Sequence, residues 1–87
     1  MIWEDKGYLI SKNKYNENSA VVEFFTYRYG KFPGIIYGAS SKKIKNYLQI
    51  GNRFHLNYSN KNNSKLGYFK VEFISVLVAV EYSKLLL

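Results

Sequence analysis

Apolar and polar residues alternate along much of this chain with the period of two that sends successive side chains to opposite faces of a strand. The clearest stretch is Asn52 to Tyr58, with Phe54, Leu56 and Tyr58 on one side and Arg53, His55 and Asn57 on the other. The last stretch repeats the pattern, placing Phe69, Val71 and Phe73 inward and Tyr68, Lys70 and Glu72 outward. Earlier segments are marked by their turns. Gly7 opens a run from Tyr8 to Tyr15, and Asn16–Glu17–Asn18–Ser19 closes a hairpin onto Ala20 to Tyr27, whose Val and Phe content favours strand over helix. Tyr29–Gly30–Lys31 is the next predicted turn and Phe32 to Tyr37 the third strand. Pro33 cannot donate a ladder hydrogen bond, so it marks an edge or a bulge. Ala39–Ser40–Ser41 can cap a short helix over Lys42 to Leu48, ended by Gly51 just downstream.

Three strands, a short helix and two more strands follow the plan of an OB-fold, an all-β five-stranded Greek-key barrel with its helix between the third and fourth strands. An SH3-like barrel also has five strands but usually lacks that helix. One domain is expected over residues 1–75. Residues 76–87 form an apolar tail ending in three leucines.

The chain has 87 residues, 47% hydrophobic and 18% aromatic, which is enough for one packed core. It has no cysteine, which removes disulfides, thiolate nucleophiles and Cys-ligated zinc together. Met1–Ile2–Trp3–Glu4–Asp5 turns acidic where a secretory signal needs a basic region and an apolar run. The longest apolar run, Val76 to Val80, falls far short of the roughly 20 residues of a membrane span. A cytoplasmic protein without membrane attachment is the expectation.

Charge changes the picture most. Thirteen Lys and Arg against six Asp and Glu give a net charge of +7, and no acidic residue occurs between Phe24 and Val71. A field of one sign over most of a small domain steers polyanions to it. An AT-rich codon bias explains Lys over Arg, but it does not explain the acid-free window.

Several segments in order carry a family pattern. They are Trp3–Glu4–Asp5–Lys6–Gly7–Tyr8–Leu9–Ile10–Ser11, the turn Tyr15–Asn16–Glu17–Asn18–Ser19, Val22–Glu23–Phe24–Phe25–Thr26 and Gly30–Lys31. Gly38–Ala39–Ser40–Ser41–Lys42–Lys43 and Leu48–Gln49–Ile50–Gly51–Asn52 follow. The set, spread over residues 3–73, resembles the N-terminal domain of the RecO family of bacterial recombination mediators and DNA-annealing proteins. Tyr37 stands where that family often has a basic residue, and Ile50 where it often has proline. The resemblance implies an OB domain that binds single- and double-stranded DNA and supports strand annealing and recombinase loading. It implies RecR as a protein partner, with single-strand-binding protein contacted through a helical C-terminal region that RecO proteins carry beyond this domain.

The residues themselves nominate a site. Lys12 and Lys14 share a strand face, the turn beneath them presents Arg28 and Lys31, and the helix lead carries Lys42, Lys43 and Lys45 beside the serines. Arg53 is a further candidate. Long cations on one surface neutralise phosphates and release counterions. Tyr8, Tyr27, Tyr37 and Tyr68 are candidates for base stacking, the alternative being rings packed at the barrel ends with hydroxyls in water. Trp3 reads as a lid on the barrel, and Asp5 and Glu17 as turn or cap acceptors. The lone His55 has no visible partner set for nucleophilic catalysis, and the six acidic residues show no metal-ligand spacing, so no enzyme activity, metal or cofactor is expected. The competing class is a protein-interaction module that docks RecR or another acidic partner without touching DNA.

Overall fold

The computed structural model describes residues 1–76. Five strands and one helix follow in the order β1 (Ile2–Asn16), β2 (Ser19–Thr26), β3 (Gly30–Tyr37), α1 (Lys42–Lys45), β4 (Arg53–Ser59) and β5 (Tyr68–Ser75). The strands close into a barrel in the order β1-β2-β3-β5-β4. This is the OB-fold, and the helix between β3 and β4 separates it from the SH3-like alternative. The expected tail begins at Val76 and otherwise lies outside the described residues.

β1 begins earlier than expected. Gly7 does not open the strand; it is buried mid-strand, with neither a turn nor a positive φ. Its role is close approach, because a Cβ there would lie 2.8 Å from the Phe25 carbonyl oxygen. The long strand serves two neighbours. Ile2 to Tyr8 pair antiparallel with β4, and Gly7 to Asn16 pair antiparallel with β2. A bulge between Leu9 and Ser11 bends the strand between these duties.

The second turn also moves. Tyr27–Arg28–Tyr29 form it, and Gly30, with φ +65°, already opens β3. Buried Thr26 holds the turn by donating to the Gly30 carbonyl at 2.8 Å and accepting from the Tyr29 N–H at 2.9 Å. Pro33 pairs with Glu23 on its β2 side, whereas β3 meets β5 in register only at Ile35 and Tyr68. The missing donor therefore faces a part of β3 without a ladder, the edge its sequence demanded.

The helix is one turn, not the two expected over Lys42 to Leu48. Ser41 occupies the N-cap but makes no side-chain cap bond, and three lysines with no acid in the first turn oppose the helix dipole. Ser40 donates instead to Asn18 Oδ1 at 2.9 Å. Beyond the helix, buried Leu48 anchors the chain to the barrel.

The core is set by the inward side of each strand: Leu9, Val22, Phe24, Ile36, Phe54, Leu56 and Phe69. The alternations in β4 and at the start of β5 therefore point as expected, while Val71 and Phe73 are half-buried against the core. Trp3 closes one end, stacked on Tyr29 at 4.3 Å and Tyr58 at 5.0 Å and edge-on to Phe32.

Candidate nucleic-acid interface

The expected basic residues do not form one face. The barrel divides most of them into three groups, because its two ends and its outer wall are reached by different strands, and leaves Lys42 and Lys43 of the helix outside these.

The first group lies at the β1–β2 hairpin. The bulge at Ile10 shifts the alternation of β1, so that Lys12 opposes buried Val22 and Lys14 opposes buried Ala20. Paired residues project from the same side of a sheet, which turns both lysines toward the chain that crosses below them. Lys45 arrives there from α1. The three line a groove of about 380 Å³ with Asn16, Glu17, Ala39 and Ser40. Lys12 Nζ donates to the Leu48 carbonyl at 2.6 Å and ties β1 to the segment after the helix. The Lys14 and Lys45 side chains are exposed and make no hydrogen bond or ion pair among the described residues. Glu17 is the acid on the rim.

Arg28 sits at the opposite end of β2, not beneath the lysines. Its side chain donates to the Glu4 carbonyl, its Nε lies 3.8 Å from the Asp5 carboxylate, and its guanidinium stands 5.6 Å from the Tyr29 ring. Asp5 also accepts from the Lys6 and Arg28 backbone N–H groups, the turn acceptor its position predicted. Lys31, at the start of β3, is 3.7 Å from Glu23. On the helix, Lys43 lines a separate, mainly apolar cavity of about 450 Å³ with Ile44, Tyr47, Phe54, Val71, Glu72 and Phe73. Lys42 is exposed and lines neither hollow.

The third group centres on Arg53 and is mixed with aromatic rings. Arg53 opposes Tyr8 across β4 and β1 and donates to the Tyr27 hydroxyl at 3.1 Å. Tyr8 and Tyr27 stack with centroids 6.3 Å apart and planes 25° from parallel. The Arg53 hydrogen bond, helped by one with Tyr8, holds the Tyr27 phenol below its ordinary value near 10. A spectrophotometric alkaline titration should therefore show one tyrosine ionising early, and Arg53→Gln should move that step to higher pH. A titration identical in the two proteins would refute the contact. The other stacking candidates, Tyr37 and Tyr68, meet each other at 6.0 Å beside the β3–β5 junction, well apart from Tyr27.

Phe25 was missed. It is outward on β2 and 57% exposed, directly opposite Tyr8 on one side and Lys31 on the other. The signal was present, since Val22 and Phe24 inward require Glu23 and Phe25 outward. The double Phe reads as core until the alternation is carried through.

His55 lies 3.6 Å from the exposed Glu4 carboxylate. Among the described residues, no three His, Asp or Glu side chains gather as a metal site, and no helix is long and apolar enough to cross a membrane.

Comparison with known proteins assigns this arrangement to a family. The model for "Recombination protein O N terminal" matches residues 1–77. DNA repair protein RecO of Cereibacter sphaeroides is 36% identical over 72 residues, covering 83% of this chain and 30% of that protein. RecO of Caulobacter vibrioides is likewise 36% identical over 72 residues, again 83% of this chain and 30% of the relative. RecO of Mesorhizobium japonicum is 34% identical over 79 residues, 91% of this chain and 31% of its own length. The chain thus spans about 30% of the curated relatives it matches. On the family match, the identities and the barrel together, this chain belongs to the RecO N-terminal family of bacterial recombination and DNA repair proteins.

Proposed function

We propose that this barrel is the DNA-binding unit of a RecO-type recombination mediator, holding single- and double-stranded DNA by its phosphates without chemistry of its own. The observation that carries this is the convergence of Lys12, Lys14 and Lys45 in one groove, two of their side chains with no partner among the described residues. Like charges held together in the free protein cost energy, which a polyanion recovers on binding. A groove that grips backbone and ignores sequence suits strand annealing, where both complementary strands must be held before they pair. Recombinase loading is the further step this reading assigns to the whole mediator. Its place is the bacterial cytoplasm, on the nucleoid. RecR is the proposed protein partner, and any contact with single-strand-binding protein belongs to the longer RecO chain beyond this domain.

The double variant Lys14→Glu/Lys45→Glu tests the groove. Fluorescence anisotropy with labelled single-stranded and duplex oligonucleotides should show both affinities falling while the fold is kept. Unchanged affinity sinks the assignment.

A second reading, a module that docks a protein without DNA, is favoured by the apolar cavity beside α1, where Tyr47 is exposed and stacks on Phe73 at 4.7 Å. RecR captured equally well before and after nuclease treatment, by a protein that fails to bind oligonucleotides, would favour it.

A further inference from the structure

The outer wall of the barrel carries a row that the phosphate groove does not explain. Following the pairing across four strands, Lys31 on β3 opposes Phe25 on β2, Phe25 opposes Tyr8 on β1, and Tyr8 opposes Arg53 on β4. Directly paired residues project from one side of a sheet. The neighbours Leu9, Phe24 and Phe54 are buried, so this row faces outward. Tyr27 joins it from the end of β2 through the Tyr8 ring and the Arg53 guanidinium. Phe25 and Tyr27 are 57% and 56% exposed.

We propose that Phe25, Tyr8 and Tyr27, flanked by Arg53 and Lys31, form a stacking platform for unpaired bases of a single-stranded nucleic acid, distinct from the lysine groove. The inference deepens the DNA-binding reading and rests on it. Scattered exposed rings are ordinary on a protein surface. Two rings in a row with a cation at each end and a third ring stacked beside them are not scattered, and they match the chemistry of a single strand, whose bases offer π-faces and whose phosphates flank them. Neighbouring strands lie about 4.8 Å apart, so Phe25 to Arg53 spans roughly 10 Å, room for one or two bases. The platform is also preformed: the Tyr8–Tyr27 stack and the Arg53 hydrogen bond fix the Tyr27 ring before a base arrives. A protein surface fits less well, because interface cores are depleted of charge and here cations bracket the rings. A duplex fits worse still, since pairing hides the base faces. The acids near the row are Glu23, held by Lys31 and Ser11, and Glu4, beyond Lys6 and beside His55.

The test uses the whole chain, labelled oligo-dT and a labelled blunt duplex. Phe25→Ala and Tyr27→Leu alter exposed rings. Each should weaken oligo-dT binding by about 5- to 100-fold, leave duplex affinity within about twofold, and leave the far-UV spectrum unchanged. Phe25→Tyr, which keeps the ring, should restore oligo-dT binding. Unchanged oligo-dT affinity in both variants overturns the platform and leaves the row to a protein partner. Equal losses on both probes overturn it too, because a site for unpaired bases must discriminate. If the unaltered protein binds neither probe, the lysine groove fails along with the platform. Duplex binding that depends on Lys14 and Lys45 but not on Phe25 or Tyr27 separates the two sites.

Discussion

Replacing Phe69 by Ala is expected to remove about 3–5 kcal/mol of folding stability, the range for truncating a fully packed Phe. The ring is 2% exposed and lies 5.0 Å from Phe24, 5.2 Å from Tyr58 and 6.0 Å from Trp3, so it joins the core to the aromatic cluster at the barrel end. It also bears on closure. β3 and β5 meet in register at Ile35 and Tyr68, supported by the Ile35 N–H donating to Gly67 at 2.9 Å. With so short a ladder, side-chain packing must hold the seam. Gly34 makes that possible, because a Cβ there would lie 2.5 Å from the Phe69 ring. Small domains have only about 5–15 kcal/mol in total. The variant should therefore melt roughly 12–40 °C lower, read by circular dichroism, and sit close to unfolding at growth temperature. A loss below about 1 kcal/mol would mean that Phe69 does not clamp the seam.

The double variant Lys14→Glu/Lys45→Glu is expected to lower affinity for DNA on the order of 10- to 100-fold near 0.1 M salt. Each lost phosphate contact forfeits one released counterion, worth close to tenfold at that ionic strength, and each added carboxylate repels the strand. The slope of log affinity against log salt should become shallower by about 1.4 on a single strand and about 1.8 on a duplex, the share of two lost contacts. Because both side chains are exposed and unpartnered among the described residues, stability should change by less than about 0.5 kcal/mol. Lys12→Glu is the less informative change, since it also breaks the bond to the Leu48 carbonyl. An unchanged slope with an unchanged fold would move the backbone contact elsewhere, to Arg28 or to Lys42 and Lys43.

How much of this was legible beforehand depended on which interactions were local. Alternation in β4 and β5 gave their inward sides directly, since Phe54, Leu56, Tyr58 and Phe69 are all buried. Strand order and the helix insertion followed from turn residues. What failed was non-local. Gly7 looks like a turn glycine until Phe25 is known to cross it. The helix looks two turns long because nothing in Lys42 to Leu48 reveals that Leu48 must reach the barrel. The basic residues looked like one face because sequence distance hides the barrel's two ends. Arg28 and Lys14 lie on either side of one β-strand in sequence, yet at opposite poles in space. The bulge at Ile10 mattered most for the site. It turned Lys12 and Lys14 toward the groove, and a one-residue irregularity of that kind leaves no composition signal.

Whether this barrel grips nucleic acid by its phosphates is tested most directly by the salt dependence of oligonucleotide binding by the unaltered chain. Anisotropy of a labelled single strand, titrated from about 50 to 200 mM salt, should show affinity falling steeply and linearly on logarithmic axes. The slope should correspond to at least two or three neutralised phosphates, about −0.7 per contact for a single strand. Affinity that is flat with salt, or no binding at the lowest salt, would contradict the account.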